Sequence, residues 1–81
     1  MIDAGQIKAA RALLGLTQND VAAATGLSVQ TIKRMETAGT LRSTVSNVLT
    51  IQKALEKAGV IFIPENGGGT GVRLAKPLLS K

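Results

Sequence analysis

The chain contains neither cysteine nor histidine among its 81 residues. These absences exclude disulfide bonds, thiolate chemistry, the usual zinc sites and catalysis by a histidine base. Acidic residues are also few: the five Asp and Glu are scattered along the sequence, with no paired acid and base and no nucleophile beside a base. We therefore expect no enzymatic activity, no catalytic residue, no metal site and no cofactor.

Long apolar runs are missing as well. No run approaches the roughly 18 residues that a membrane-spanning helix requires. Near the N-terminus, the sequence has Asp3 and lacks the basic segment and apolar stretch of a signal peptide. These absences predict a cytoplasmic protein.

Positive charge is abundant. Ten Lys and Arg residues give a formal net charge of +5 and a sequence pI near 10.3. This balance favours an anionic partner, such as nucleic acid or an acidic membrane surface. The length predicts a single domain over residues 1–81 with a thin core, because a chain of this size buries only about three-fifths of its unfolded surface.

The first helix is predicted from a capping pair and a periodic apolar face. Asp3 and Gln6 stand three residues apart, as in a capping box, and Gly15 is a natural helix stop. Between them the apolar residues at helical spacing are Ile7, Ala10 and Leu14.

Two short helices follow in the segment "TQNDVAAATGLSVQTIKRME", residues 17–36. Thr17 and Asp20 form a second capping pair, Gly26 ends the second helix, and Ser28 caps the third. A left-handed glycine lets the chain reverse within about three residues. The small Ala22 permits a close helix crossing, so this segment predicts two rigid helices at a fixed angle. The inward residues of the third helix are predicted to be Ile32 and Met35.

A longer fourth helix and a hairpin are predicted beyond Gly39. Ser43 is the expected cap of the fourth helix, and Gly59 is its expected end. The expected inward stripe comprises Val45, Val48, Leu49, Gln52 and Leu55, and it is widened by Ile51, Ala54 and Ala58. The helical part of the domain therefore spans residues 3–58.

The final third is predicted to form a β-hairpin over residues 60–75 and a tail over 76–81. "VIFI" and "VRLA" are strand-like, and the glycine-rich segment between them predicts a turn. A phosphate-binding loop would need a lysine and a following helix, and this segment has neither. The first strand is apolar on both faces, with Val60 and Phe62 on one and Ile61 and Ile63 on the other. A lone hairpin cannot bury both faces, so these four residues are the expected dimerisation element.

The pattern "LLGLTQNDVAAATGLSVQTIKRME" resembles the helix-turn-helix of the lambda repressor and Cro superfamily, also called the Xre family. The resemblance covers residues 6–42. It is carried by the spacing of Gln18, Ala22, Gly26, Ile32 and Glu36. It implies a mainly α fold, a lambda repressor-like domain of four helices, here followed by a C-terminal β-hairpin.

The resemblance also implies a DNA-binding transcriptional regulator, associated with the nucleoid. Its partner is double-stranded DNA and not a membrane, with the third helix in the major groove. The residues at positions that contact DNA in the family are Thr17, Gln18, Ser28, Val29, Gln30, Lys33, Arg34, Thr40 and Arg42. Gln18 corresponds to a glutamine that binds a phosphate and braces the third helix, and the amide of Thr17 is expected near the same phosphate.

Two further roles follow from the resemblance. Arg11 and Glu36 match an ion pair between the first and third helices, which contributes about 0–1 kcal/mol if it is exposed. Val29 replaces a glutamine common in phage repressors, so we expect specificity to depend on Gln30 and Arg34, with Arg34 suited to guanine.

Two functions from different classes remain open. The first is a dimeric repressor that binds a palindromic operator, with homodimers formed through residues 60–63. The second is the antitoxin of a toxin–antitoxin pair, in which the hairpin binds a toxin or another protein partner. A helix-turn-helix that has lost DNA binding is disfavoured by the retained cations and Gln18.

Overall fold

The computed structural model describes residues 1–76. Four helices come first: α1 (Ala4–Leu14), α2 (Gln18–Thr25), α3 (Val29–Ala38) and α4 (Val45–Ala58). They are followed by the strands β1 (Val60–Ile63) and β2 (Gly71–Leu74), and a short 3-10 helix (Thr40–Arg42) joins α3 to α4. The predicted fold, mainly α with four helices and a C-terminal hairpin, is confirmed. Apart from Lys76, the predicted tail lies outside the described residues.

Polar caps explain where the helices begin. The side chains of Asp3 and Thr17 each accept a hydrogen bond in a reciprocal capping box, as predicted, and Ser28 caps α3. For α4 the predicted cap was wrong: Thr44, not Ser43, accepts from the backbone N–H of Asn47 at 3.1 Å. The amide of Ser43 instead donates to Thr40 O at 3.0 Å and closes the 3-10 helix, so α4 begins one residue later.

The corner between α2 and α3 depends on Gly26. Its φ of 76° lies in the left-handed region, and its N–H donates to Ala22 O at 2.9 Å. A residue with a Cβ is strained at this φ, whereas glycine adopts it readily. The chain therefore reverses at once, and Ser28 starts α3 two residues later.

One core is built from all four helices and the first strand. Its buried apolar residues are Ile2, Ile7, Ala10, Val21, Ile32, Met35, Val48, Ile51, Leu55 and Val60. The predicted inward stripe of α4 was partly wrong, because Val45 is 62% exposed and Leu49 41%, whereas Ile51 is fully buried. The helix carries two adjoining apolar stripes, and its packing against α1, α2 and β1 buries the one that contains Ile51.

The hairpin folds back on the helices. Its strands are antiparallel, with the pairs Val60–Leu74, Ile61–Arg73, Phe62–Val72 and Ile63–Gly71. Val60 is buried, and Phe62, Val72 and Leu74 pack against the core. The two faces of β1 differ: on the side that packs on α1 and α4, Val60 is buried and Phe62 is half-buried, while Ile61 on the other face is 38% exposed. Dimerisation through Val60, Ile61, Phe62 and Ile63 stays a prediction.

Gln6 fastens the hairpin to α1. Its side chain is buried, and its Nε2 donates to Ile63 O at 3.0 Å and to Gly71 O at 2.8 Å. Its Oε1 accepts from the amide of Asp3 at 2.9 Å. Gln6 is therefore both a member of the predicted capping box and the polar link to the last pair of the hairpin.

Candidate nucleic-acid interface

The exposed side of α3 carries a polar stripe, which we call the α3 stripe. It consists of Gln30, Lys33, Arg34 and Thr37, all exposed. Residues spaced by three, four and seven positions share one face of a helix. The other side of α3 is fixed, because Ile32 and Met35 are fully buried and Glu36 is 3% exposed. A rigid helix thus presents amide, ammonium, guanidinium and hydroxyl groups to the solvent.

Thr37 is a member of the α3 stripe that the sequence reasoning missed. Its hydroxyl donates to Lys33 O at 2.9 Å, so its free capacity is that of an acceptor. Its position seven residues after Gln30 is the signal that could have identified it.

Two predicted contact residues lie at the start of α3. Ser28 is exposed, and its Oγ accepts from the amide of Thr31 at 3.1 Å and lies 2.9 Å from Thr31 Oγ1. Its first role is therefore to cap the helix. Val29 is half-buried beside it. The first amides of α3 have no acceptor within the helix, which makes this end suited to an anion.

Thr17 is the N-cap of α2, and its place beside a phosphate stays a prediction. Its amide N–H, predicted to bind a phosphate, donates to Asp20 Oδ2 at 2.8 Å. This backbone hydrogen bond, together with one from the Thr17 side chain, lowers the pKa of Asp20 below its ordinary value. The amides of Gln18 and Asn19 follow in the first helical turn, where no acceptor exists within the helix. These two amides are therefore further candidates for an anion at this helix start.

Glu36 lies at the junction of three helices. Its Oε2 accepts from Arg11 Nε at 2.7 Å, and its Oε1 accepts from Arg11 Nη2 at 2.8 Å and from Gln18 Nε2 at 3.1 Å. Arg11 Nη1 also donates to Leu16 O at 3.1 Å. The Glu36 side chain is 2% exposed and that of Arg11 22%, so this is not the exposed pair considered above. The cluster connects α1, α2 and α3 through bidentate, charge-assisted hydrogen bonds.

The electrostatics of this cluster favour both charges. Burial opposes ionisation of Glu36, but the hydrogen bonds from Arg11 and Gln18 and the positive charges of Arg11 and Lys8 outweigh it. The pKa of Glu36 is therefore lowered from its ordinary value. The hydrogen bond to Glu36 likewise raises the pKa of Arg11, despite partial burial.

Gln18 retains capacity for a ligand. Its Nε2 carries two hydrogens, of which one is directed to Glu36. The residue is half-buried at the first position of α2. Its side chain can therefore donate to an anion while it remains bound to Glu36.

Two of the predicted contact residues, Thr40 and Arg42, lie in the 3-10 helix after α3. Arg42 is exposed in the 3-10 helix, which packs against α3. Thr40 is 4% exposed, and its hydroxyl donates to Ile2 O at 2.8 Å. The polypeptide itself therefore occupies the Thr40 hydroxyl, and a DNA contact by this residue stays a prediction. The exposed cations near this end of the molecule are Lys33, Arg34 and Arg42.

Within residues 1–76, no three Asp or Glu side chains come together as metal ligands. None of the helices in that range combines the length and the apolar character needed to cross a bilayer.

Comparison with known proteins identifies the family. A family model described as helix-turn-helix matches residues 7–60, more than half of the 81 residues, and the match runs from α1 to the first residue of β1. Among curated proteins, none matches the chain significantly. The family is one of DNA-binding regulators and is not typically enzymatic. With its glycine corner, its buried Glu36 junction and this match, the chain belongs to the Xre/lambda repressor-like family of helix-turn-helix DNA-binding regulators.

Proposed function

We propose that the chain is a sequence-specific transcriptional regulator that binds a palindromic operator as a dimer and represses by occupying it. The observation that carries this proposal is the α3 stripe, whose donors are exposed while the opposite side of the helix is locked in the core. A helix of this kind fits the major groove, which is about 12 Å wide.

The stripe contains the side chains that distinguish base pairs. The guanidinium of Arg34 matches the O6 and N7 acceptors of guanine, and the amide of Gln30 matches the N6 and N7 groups of adenine. The half-buried Val29 can contact a thymine methyl group. Each good bidentate contact discriminates against a wrong base by about 1–3 kcal/mol.

A second set of groups is suited to contact the phosphate backbone of the DNA. Gln18 and the free amides at the start of α2 suit one phosphate, and Arg42 suits another. Because Glu36 holds Gln18 and Arg11 together, the phosphate contact and the recognition helix share one rigid frame. Base contacts made by α3 therefore have a defined register.

The need for a dimer follows from the size of the stripe. One recognition helix contacts only a few base pairs. Two copies related by a two-fold axis present two such helices about 34 Å apart, one turn of DNA, and double the length of sequence recognised.

The test is selection of bound duplexes from a random DNA pool, followed by affinity measurements on single-base variants of the selected site. For Arg34→Ala we expect a loss of about 1–3 kcal/mol and relaxed preference at one base pair. For Lys33→Ala, a matched cation one position earlier, we expect uniform weakening and a smaller salt dependence if it contacts phosphate. Uniform weakening by Arg34→Ala contradicts its base role, and no complex even in dilute buffer contradicts the function.

One observation favours the antitoxin alternative. The outer face of the hairpin presents Ile61, 38% exposed, beside its exposed cross-strand partner Arg73. A toxin bound there would cover this apolar side chain. The alternative requires a toxin-like reading frame beside the gene. We expect the product of that frame to co-purify with this chain, to be lost with the variant Ile61→Asp and to be retained with the control Arg73→Lys.

A further inference from the structure

The pairing of the hairpin determines which backbone groups of β2 face outward. Ala75 N–H donates to Gly59 O at 2.7 Å, so this pair is bonded between the strands. Along an antiparallel pair, positions that are bonded across the strands alternate with positions that are not. Two and four residues before Ala75, the backbone of β2 therefore also faces β1, whereas the N–H and C=O groups of Val72 and Leu74 face away from it.

Gln6 supports this assignment independently. Its Nε2 donates to Ile63 O at 3.0 Å and to Gly71 O at 2.8 Å. Because one nitrogen reaches both oxygens, the two carbonyl groups face each other between the strands and do not point to opposite edges. Within residues 1–76, the outward groups of Val72 and Leu74 have no backbone partner. We call these outward groups the free edge of β2.

A groove of about 310 Å³ lies between the free edge and α1. On the side of α1 it is lined by Gly5 and Ala9, which have no side chain beyond Cβ. At one end the hydroxyl of Thr70 donates to Asp3 Oδ2 at 2.8 Å and closes the groove. Small residues let a second backbone approach closely, so the groove leaves room for another strand beside β2.

α1 and β2 run side by side in the same direction. Gln6, near the start of α1, bonds to Gly71 at the start of β2. Leu14, the last residue of α1, lies 3.7 Å from the position of a Cβ on Gly59, whose carbonyl bonds to Ala75 just beyond β2. The wall of the groove therefore continues along α1 at four-residue spacing, through small or apolar residues that we call the α1 row: Gly5, Ala9 and Leu13.

We propose that the free edge of β2 binds an extended segment of a partner protein, which adds a third strand to the hairpin. The site is separate from the α3 stripe and does not depend on DNA binding. In strand addition, main-chain hydrogen bonds supply affinity and alternate side chains supply specificity. Side chains of the added strand that point inward lie over the α1 row, and small or apolar residues fit there. Side chains that point outward lie beside the exposed Arg73, where carboxylates are favourable, so the partner segment alternates apolar and acidic residues.

Charge favours this partner over a second copy of the chain. Arg73 and Lys76 are both exposed at this edge, and the whole chain has a formal net charge of +5. Two β2 strands side by side would bring these cations together twice in one small sheet, and like charges on neighbouring strands are destabilising. The carboxylate of Asp3 is at the closed end of the groove, so the acidic residues of the partner belong at the end of Arg73. The cavity next to β1 is lined by longer side chains, such as that of Gln52.

Amide hydrogen exchange of the free protein, followed by NMR, tests the edge itself. We expect the amides of Val72 and Leu74 to exchange at least about tenfold faster than that of Arg73, which faces β1. Slow exchange at Val72 and Leu74 means that the edge is already covered and overturns the proposal. Equal rates at all three amides overturn it as well.

Titration with a blocked pentapeptide in which valine and glutamate alternate tests the occupant. The site offers few backbone hydrogen bonds, so we expect a Kd on the order of 0.1–1 mM, with new protection at Val72 and Leu74. The same peptide with lysine in place of glutamate should bind at least about tenfold more weakly. Equal binding of the two peptides, or no binding of either, overturns the proposal. NMR shifts confined to the α3 stripe mean that the acidic peptide only imitates DNA, and they also overturn it.

Paired variants locate the site. Ala9→Gln places a longer uncharged side chain in the groove, and its control Ala12→Gln changes an exposed alanine of the same helix outside the groove. We expect the first to weaken binding of the glutamate peptide at least about tenfold and the second to leave it unchanged, with both folded by circular dichroism. Arg73→Gln should weaken it several-fold, unlike Lys53→Gln, which removes an exposed cation of α4. Equal effects within either pair overturn the proposal.

Discussion

Replacement of Glu36 by glutamine is the sharpest test of the three-helix junction. The variant keeps the shape of the side chain but removes the charge that accepts from Arg11 at 2.7 and 2.8 Å. One end of the new amide is also a donor and faces the donors of the guanidinium. Arg11 is left without its counter-charge in a partly buried place.

The expected cost follows from the burial of the pair. Breaking a buried pair by removing one partner costs about 3–5 kcal/mol. The Arg11 side chain is 22% exposed and retains some water, so we expect the lower end, about 3 kcal/mol. For a domain of this size that corresponds to a fall of roughly 15 °C in Tm.

The assay is urea unfolding followed by far-ultraviolet circular dichroism, because the chain contains no Trp or Tyr for fluorescence. The control is Glu56→Gln, an exposed carboxylate whose only side-chain partner within residues 1–76 is Gln52 at 3.3 Å, and a change within about 0.5 kcal/mol is expected. The double variant Arg11→Met, Glu36→Leu should recover most of the loss, because apolar side chains can replace a buried pair. A loss below about 1 kcal/mol for Glu36→Gln would refute the reasoning, since that is the behaviour of an exposed pair.

Two further predictions concern pH and the hairpin. The pKa of Glu36 is lowered in the folded state, so its stabilisation is complete above the ordinary value of about 4.5 and is lost as the pH falls through the folded value. Urea midpoints should therefore drop more steeply in acid for wild-type than for Glu36→Gln, and parallel curves would contradict this. A dependence of the same sign remains in both proteins from the lowered pKa of Asp20. Gln6→Leu removes both donors to Ile63 O and Gly71 O and should cost about 2 kcal/mol. Hydrogen exchange should then quicken in β1 and β2 more than in α3, and equal protection in all three would show that Gln6 does not hold the hairpin.

The helices and their corners were predictable because their causes are local. The caps Asp3, Thr17 and Ser28 accept hydrogen bonds from amides three residues away, and Gly15 and Gly26 end their helices within one turn. Such contacts are contained in any short window of sequence. The one wrong cap, Ser43, failed because a 3-10 turn competed for its amide.

The face that each element buries was less predictable. In α3 only one apolar stripe exists, and Ile32 and Met35 were assigned correctly. In α4 two stripes adjoin, and periodicity does not choose between the side of Leu49 and the side of Ile51. The strand Val60–Ile63 presents the same ambiguity, since both of its faces are apolar.

The candidate site, too, was predictable from the sequence only in part. The exposed donors Gln30, Lys33 and Arg34 lie where the spacing of α3 predicts them. The engaged amide of Thr17 and the buried hydroxyl of Thr40 became visible only with their partners in place. The spacing of residues in a helix indicates which side of the helix a side chain occupies. Its hydrogen-bond partner depends on how the elements pack.

The sequence alone determined the order of the helices, their limits apart from the start of α4, the glycine corner and the polar side of α3, because each depends on residues within about one helical turn. Only the tertiary structure decided the roles of Gln6 and Glu36, the face of the hairpin that packs on the helices, and the exposure of Val45 and Leu49 on α4. Gln6 binds carbonyls 57 and 65 residues away, and Glu36 binds Arg11 25 residues away. The physical reason is that such contacts form only after the chain has folded back on itself. The packing of the helices against one another then determines which apolar side of each helix is buried.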